Sequence, residues 1–237
     1  MDIKVLHEDN HLIAVFKPAG VLSQGDETGD ISIFDEVKEY IKHKKYQKYM
    51  ENPPAGGKKP GNIFLGLLHR LDRPVSGIIL FAKTSRGASR LSEQFRNHKV
   101  EKIYHAMVCG RLKTQKGTLT HFLIKDEKLK KGREAKDGKE ANLYYEVIRS
   151  NTDYSLLKIK IEGGQFHQIR TQLSIAGFPV LGDVKYLPGG RQVKGRWNNE
   201  KAIALCATQL SFYPATSDKL VVISIELPEE WKEYIRF

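Results

Sequence analysis

The apolar residues of this chain are gathered in short runs that Gly and Pro interrupt. Leu12 to Phe16 is one such run, which Pro18 and Gly20 stop, and Ile78 to Ala82 is a second. Runs this short and rich in β-branched residues predict buried strands. Alternating apolar and polar residues predict further strands over 102–109, 142–148, 154–161, 202–212 and 220–227. Many strands with few helices between them favour an α+β fold over a doubly wound sheet.

Two helices are predicted between the early strands. The first follows Asp30 or Ser32, carries apolar residues at helical spacing, and ends near Lys42. The second follows Thr84 or Ser85 and has an apolar face on its inner side.

The net charge limits the kind of partner. The formal net charge is +11 at pH 7, and such an excess repels itself unless a polyanion binds it. Nucleic acid leads, although charge alone does not separate an enzyme from a binding protein. The cysteines, Cys109 and Cys206, are too few and too far apart for a disulfide framework or a thiolate metal site. With no basic leader and no long apolar stretch, we expect a cytoplasmic protein without a membrane segment.

Three charged segments are predicted to be loops. For residues 42–62, rich in Lys, Gly and Pro, two interpretations stay open: a solvated linker or a loop that orders on RNA. Basic and acidic residues nearly balance over 125–141, which predicts a solvated loop without chemistry. Basic residues interleave with Tyr186 and Trp197 over 185–201, a mixture typical of phosphate contacts and base stacking. We favour RNA binding for that segment, with an ordinary exposed loop holding one anchored Trp as the alternative.

Several common enzyme classes lack their motifs here. The chain has no Walker loop, GxGxxG, HExxH or GxSxG, which excludes the usual nucleotide-hydrolysis, dinucleotide, zinc-protease and serine-hydrolase sites. Residues 69–77 instead place Asp72 between Arg70 and Arg73, next to Pro74. Cationic neighbours within about 4–6 Å favour an ionised aspartate, ready as nucleophile or base. A surface turn with ion pairs is the alternative.

Two further segments carry candidate polar residues. Tyr104 lies in the strand predicted over 102–109, where its ring can stack on a planar base or form part of the core. A helix predicted over 166–176 follows two glycines and ends at Gly177. His167 and Arg170 lie one turn apart near its start. We interpret His167 as a structural histidine that hydrogen-bonds the neighbouring loop.

Together these segments resemble the RluA-type pseudouridine synthases, which act on ribosomal and transfer RNA. The matching segments are Lys17-Pro18-Ala19-Gly20, His69 to Gly77, Lys102-Ile103-Tyr104, His167-Gln168-Ile169-Arg170 and Gly182-Asp183. The match around Asp72 is long and keeps its order relative to the others, so it is specific. The resemblance covers nearly the whole chain.

The resemblance implies an architecture and a site. The fold would be α+β, with a mostly antiparallel mixed sheet bent into two lobes around a central basic cleft. One catalytic domain would span 1–237, with no small RNA-binding module in front. Asp72 would be the catalytic aspartate, Tyr104 would lie against the target base, and Arg170 would be the partner of the aspartate. RNA contacts are expected from Arg70, which can fill space vacated by an extruded nucleotide, and from Arg73, Lys185, Arg191, Lys194 and Arg196.

The implied reaction converts a specific uridine in ribosomal or transfer RNA to pseudouridine. A monomer is expected to do so with no metal or organic cofactor. Attack on the base, attack on the sugar and abstraction of a sugar proton stay open as routes for Asp72. The rival from another class is a non-catalytic RNA-binding or assembly protein of the same fold. A weaker rival is a metal-independent nuclease that uses His69 or His167.

Overall fold

The computed structural model describes residues 3–53, 61–187, 197 and 199–235 of the chain. The strands are β1 (Val5–Glu8), β2 (Leu12–Lys17), β3 (Gly66–Leu67), β4 (Ser76–Ala82), β5 (Glu101–Cys109), β6 (Lys116–Asp126), β7 (Lys131–Glu134), β8 (Lys139–Ser150), β9 (Tyr154–Glu162), β10 (Leu205–Phe212) and β11 (Val221–Ser224). The helices are α1 (Ile33–Glu51), α2 (Ser85–Arg96), α3 (Gln168–Ile175) and α4 (Lys232–Ile235), with a 3-10 turn at Glu229–Trp231. The α+β class is confirmed.

The eleven strands of the described residues belong to one sheet, in the order β1-β2-β4-β10-β5-β9-β8-β6-β7, with β3 on β4 and β11 on β10. Among the described strands, only β4 and β10 pair in parallel, where Cys206 lies opposite Ser76 and Ala207 opposite Gly77. The sheet is therefore mixed and mostly antiparallel, as predicted. A strand from the last part of the chain joins β4 to β5 at its centre.

Gly77 allows β4 and β10 to approach closely. Its φ is +129°, a region that L side chains rarely adopt. A Cβ atom there would lie 2.4 Å from the carbonyl oxygen of Ala207. Only glycine fits this junction without moving one of the two strands.

The helices cover opposite faces of β2 and β4. On one face, Ile13 and Ile79 pack with Val37 of α1, and on the other, Leu12 and Leu80 pack with Leu91 of α2. Because both faces are buried, these strands need apolar residues at successive positions, which explains their uninterrupted runs. A larger cluster around β5, β8, β9 and α3 forms the rest of the core.

Side-chain caps fix the starts of both covering helices. Ser32 caps α1 and forms a reciprocal capping box with Asp35, and Thr84 accepts a hydrogen bond from the Gly87 backbone N–H at the start of α2. Each cap partners a backbone N–H that the helix itself leaves unpaired. These are the two residues among the predicted alternatives that take the cap position.

Two loop predictions were wrong. Helix α1 does not end near Lys42 but continues to Glu51, because Lys and Gln favour helix and need no buried face beyond Ile41, the last buried residue of the helix. The segment 125–141 contains the end of β6, all of β7 and the start of β8. Its charged side chains lie beside a hydrogen-bonded ladder between β6 and β7, which charge balance alone does not reveal. No helix within the described ranges is long and apolar enough to cross a membrane.

Candidate active site

The turn that carries Asp72 opens on a cavity of about 1110 Å³. It lies just before β4, and the cavity walls come from β5, the start of α3 and the loop Leu22–Asp26. The backbone N–H of Val75 donates to the carbonyl of Asp72 across the turn, at 3.0 Å. Asp72 is thereby held on a short, closed loop, and its side chain is 28% exposed.

Arg170 joins two carboxylates at the floor of this cavity. Its Nε and Nη2 donate to the two oxygens of Asp183 at 2.6 and 2.8 Å, and its Nη1 donates to Oδ2 of Asp72 at 3.0 Å. Burial disfavours the charge of Arg170, but its hydrogen bonds with Asp183 and Asp72 outweigh that effect and raise its pKa. Asp183 orients the guanidinium by a two-bond contact, so the third nitrogen points at Asp72.

The two arginines next to Asp72 in sequence do not pair with it. Arg73 donates from Nε to the Gly20 carbonyl at 3.0 Å and pairs through Nη2 with Asp30 at 2.5 Å. Arg70 is exposed, lines the cavity, and forms no ion pair with a described residue. Within the described residues, the arginine that forms an ion pair with Asp72 is Arg170 and not one of these sequence neighbours.

A buried lysine and a buried serine brace the turn from behind. Lys17 is fully buried at the end of β2, and its Nζ donates to the carbonyls of Val21 at 2.7 Å and Arg73 at 3.3 Å. Burial lowers the pKa of Lys17 to about 7. Ser23 exchanges two hydrogen bonds with the backbone of Leu71, at 2.6 and 3.0 Å. The residues on both sides of Asp72 are therefore fixed to the loop that follows β2.

Tyr104 lies on β5 and lines the cavity with its side chain. It is 8% exposed. Burial raises the pKa of its phenol, and the negative charge of Asp72 raises it further. At neutral pH the hydroxyl is therefore protonated, while the ring forms an apolar wall near the carboxylate.

The two ring nitrogens of His167 face different partners, Asp72 and Tyr186. Its Nε2 lies 3.5 Å from Oδ2 of Asp72, and its Nδ1 lies 2.8 Å from the hydroxyl of Tyr186. Tyr186 is buried and also packs on the guanidinium of Arg170, with 5.0 Å from Cζ to the ring centroid. The predicted hydrogen bond between His167 and the neighbouring loop is present, but the same ring also faces the carboxylate.

His69, the other histidine of this region, is half-buried below the turn. Its Nε2 accepts a hydrogen bond from the backbone N–H of Leu80 at 3.1 Å, and its ring stacks on Phe95 at 5.1 Å. Burial lowers its pKa to about 3, with a smaller contribution from Lys102. This neutral ring connects the turn to β4. Its Nε2 already accepts a hydrogen bond and carries no proton for acid catalysis.

The cavity wall is mainly basic. Its cationic lining residues are Arg70, Arg73, Arg96, Lys102, Arg170 and Lys185, against Asp26 and Asp72. Lys185 is half-buried, and burial followed by the charge of Arg170 lowers its pKa. Arg191, Lys194 and Arg196, also predicted to bind RNA, lie outside the described residues. Trp197 donates to the Ala202 carbonyl at 2.7 Å, as expected of an anchored Trp.

Sequence reasoning missed the contacts that three residues make in this arrangement. Asp183 stood in a matched Gly-Asp pair, and its partner could be inferred only from the fold. Tyr186 was expected to stack on a base, yet it packs under Arg170. Lys17 stood in a matched turn, and a lysine at the end of an apolar strand was the available signal of a buried cation. Within the described part of the chain, no group of three or more His, Cys, Asp or Glu is placed to hold a metal.

Comparison with known proteins gives one family. The model of the RNA pseudouridylate synthase family matches residues 11–175. The tRNA pseudouridine synthase C of Haemophilus ducreyi is 31% identical over 253 aligned positions, covering 98% of this chain and 94% of that protein. The ribosomal large subunit pseudouridine synthase D of Borreliella burgdorferi is 32% identical over 187 positions, covering 78% of this chain and 54% of that protein.

A solved structure has the same fold. Human RNA Pseudouridylate Synthase Domain Containing 4 superposes with a TM-score of 0.72 at 22% sequence identity, covering 97% of this chain and 90% of the other. At that identity the likeness concerns the fold. The likeness covers nearly the whole of this chain.

Proposed function

The chain belongs to the RNA pseudouridylate synthase family, and we propose that Asp72 is the aspartate with which this isomerase converts a uridine of ribosomal or transfer RNA to pseudouridine. One observation carries the assignment: Oδ2 of Asp72 lies 3.0 Å from a buried arginine at the floor of a basic cavity. An ionised carboxylate aimed into a space large enough for a nucleoside is what each route requires.

The reaction breaks the N1–C1′ bond, turns the detached uracil, bonds C5 to C1′ and releases the C5 proton, while N1 takes up a proton, so that substrate and product are isomers. Asp72 acts on the base or on the sugar, and both sites become reachable only when the uridine leaves its stack, at a cost of a few kcal/mol. Arg170 orients the carboxylate without itself being free to move, because Asp183 fixes it. The ring of Tyr104 bounds the space in which the uracil turns.

The cationic wall supplies the binding energy for extrusion. Arg70 is exposed at the cavity mouth without an ion-pair partner among the described residues, so it is free to enter the space that the uridine leaves. Lys185 contacts phosphates on the other side, next to Arg170. We also propose that residues 1–237 form one catalytic domain, because β10 makes both sides of the cavity parts of one sheet, and that this domain acts as a monomer.

The rival functions are less well supported. A nuclease would need a histidine that changes protonation near neutral pH, yet burial lowers the pKa of His69 to about 3 and that of His167 to about 4. A binding or assembly protein would not need the buried ion pair between Asp183 and Arg170, which orients Arg170 towards Asp72. That rival is tested by the activity of the unmutated protein.

Asp72→Asn tests the assignment. The amide has nearly the same shape, so fold and RNA affinity should persist, but it cannot supply the anion. Release of the C5 hydrogen from labelled uridine in ribosomal and transfer RNA should fall to background. Asp218→Asn, at an exposed ion pair with Arg90, is the matched control and should keep full activity.

Two outcomes separate the alternatives, and one further experiment identifies the target. Substantial activity in Asp72→Asn would remove the residue from catalysis. An unmutated protein that binds these RNAs but releases no C5 hydrogen would favour the binding protein. Mapping pseudouridines in cellular RNA with and without the protein identifies which uridine is the target.

A further inference from the structure

His167 has a backbone conformation that is uncommon for a residue with a side chain. Its φ is 53° and its ψ is 30°, the left-handed region, directly before α3. Asn, Asp and His are the residues most often found there, and the conformation has a free-energy cost. Its ring stacks on Phe166, with centroids 3.9 Å apart and planes 19° apart. Backbone and neighbour together fix the plane of the imidazole.

The partners of the two ring nitrogens determine where the proton lies. Nε2 faces the Asp72 carboxylate at 3.5 Å, and an ionised carboxylate only accepts hydrogen bonds. A neutral imidazole has one N–H, so the favourable tautomer carries it on Nε2 and leaves Nδ1 as an acceptor. Nδ1 lies 2.8 Å from the hydroxyl of Tyr186, which can donate to it.

A backbone amide fixes the Tyr186 hydroxyl in turn. The N–H of Gly132, on β7, donates to the Tyr186 oxygen at 2.6 Å. With that lone pair occupied, the Tyr186 proton is directed to Nδ1 of His167. The hydrogen-bond chain therefore runs from Gly132 through Tyr186 to His167, whose Nε2 faces Asp72, and the β6–β7 hairpin is its outer end.

The imidazole is neutral at physiological pH. Burial lowers the pKa of His167 to about 4, even though Asp72 acts to raise it. The charged groups that face the ring are Asp72 from the turn before β4, Arg170 from α3, and Asp183 and Lys185 from the segment after α3. The negative and positive charges act on the pKa of His167 in opposite directions, so burial is the dominant effect.

Both donors that approach Asp72 meet the same oxygen. Arg170 Nη1 and His167 Nε2 lie 3.0 and 3.5 Å from Oδ2, whereas Oδ1 has no hydrogen-bond partner among the described residues. We propose that His167, held by Tyr186 in the Nε2–H tautomer, is a positioning residue that fixes Oδ2 and leaves Oδ1 as the oxygen that reacts with the uridine. The inference rests on the proposed role of Asp72. The 3.5 Å separation is longer than a hydrogen bond and should shorten when the uridine enters, as catalytic contacts commonly do.

The tautomer can be measured without any turnover. Imidazole nitrogen chemical shifts of the intact protein should show His167 as the neutral Nε2–H form at pH 7 and titrating only below about pH 5. In Tyr186→Phe the ring that packs on Arg170 remains and the hydroxyl that donates to Nδ1 is lost, so the share of the Nδ1–H form should rise, while Asp72 still favours a proton on Nε2. Tyr144→Phe, at an exposed tyrosine bonded to Glu162, is the matched control. An Nδ1–H or a charged His167 in the unmutated protein at pH 7 would overturn the inference.

Two replacements of His167 separate positioning from packing. Gln can place its amide N–H near the position of Nε2, whereas Asn tolerates the left-handed backbone but reaches only the position of Nδ1. We expect kcat to fall by about 10–100-fold in His167→Asn and Tyr186→Phe, with KM nearly unchanged, and His167→Gln to recover much of the loss. Equal kcat in the unmutated protein and His167→Asn would refute the role of His167. Full activity of Asp72→Asn would instead refute the function on which it rests, while the tautomer measurement would still stand.

Discussion

The contacts of Arg170 show why another cation cannot replace the arginine at this position. It uses three nitrogens on two carboxylates, and the planar spacing of the guanidinium allows the two-bond contact with Asp183 while Nη1 reaches Asp72. A lysine has a single nitrogen at the end of a flexible stem. It could satisfy one carboxylate and would leave the other without its partner.

Arg170→Lys is therefore expected to slow turnover strongly and to lower the free energy of unfolding by about 1–3 kcal/mol, the cost of a buried polar group left without its bonds. RNA affinity should change little. Denaturant unfolding and C5 hydrogen release measure the two effects. Arg73→Lys, whose ion pair with Asp30 is exposed, should cost less than about 1 kcal/mol. Normal turnover and an unchanged unfolding midpoint in Arg170→Lys would contradict the arrangement.

Tyr104→Phe separates the ring from the hydroxyl. Burial and Asp72 raise the pKa of the phenol, so the ionised form that would act as a base is scarce at neutral pH. We expect Tyr104→Phe to keep turnover within about tenfold of the unmutated protein, and Tyr104→Ala, which removes the apolar wall, to lose far more. Single-turnover kinetics on labelled RNA measure this. A loss in Tyr104→Phe as large as in Tyr104→Ala would make the hydroxyl the proton acceptor.

At the scale of single residues, the sequence predicted which residues form the site better than it predicted the contacts between them. Motif matching named Asp72, Tyr104 and Arg170, and the structure brings all three to one cavity. Motif matching did not reveal that Arg73 pairs with Asp30, nor that Asp183 orients Arg170. Such contacts depend on the path of the chain, since Arg170 lies 98 positions from Asp72.

At the scale of elements, the sequence signals that held were those tied to burial. Strands β2 and β4 are buried on both faces and therefore appear as unbroken apolar runs. Strand β7 and the second half of α1 have few buried side chains, so hydropathy carried no signal for them. Backbone pairing stabilises β7, and helix propensity stabilises the end of α1. Neither effect leaves an apolar pattern.

Gly77→Ala tests the junction of β4 and β10. Backbone strain and the clash with the Ala207 carbonyl should lower the free energy of unfolding by at least about 2 kcal/mol. Gly29→Ala is the matched control, because its φ is +75° but nothing lies within 4 Å of its Cβ position; strain alone should cost about 1 kcal/mol. Thermal and denaturant unfolding compare the two variants. Equal losses would show that the close strand approach contributes nothing.

For the whole molecule, charge is organised around the cavity. The basic wall accounts for part of the net charge of +11, and release of counterions from RNA phosphates makes such binding sensitive to salt. Composition predicted the kind of partner. It could not predict which cations line the cavity, because that follows from how the two sides of the sheet meet.

Replacing Lys131 and Lys185 by Gln should make the salt dependence of RNA binding shallower. Both side chains are near the site, with Lys131 over the Tyr186 ring and Lys185 at the cavity wall. For single-stranded RNA the slope of log affinity against log salt should decrease by about 1.4, roughly 0.7 for each contact. Lys113→Gln with Lys219→Gln, both exposed and away from the cavity lining, is the control pair. Identical slopes in the two double variants would remove Lys131 and Lys185 from the interface.

The place of β10 in the sheet sets when the protein becomes competent during its synthesis. Asp72 precedes β4 and Tyr104 lies on β5, and within the described sheet these two strands are joined through β10. A ribosome adds about 5–20 residues per second, so β4 and β5 emerge seconds before the strand that lies between them. Until residues through Phe212 have emerged, the nascent chain has two open sheet edges and a divided cavity. RNA modification therefore begins only after nearly all of the described chain has been translated.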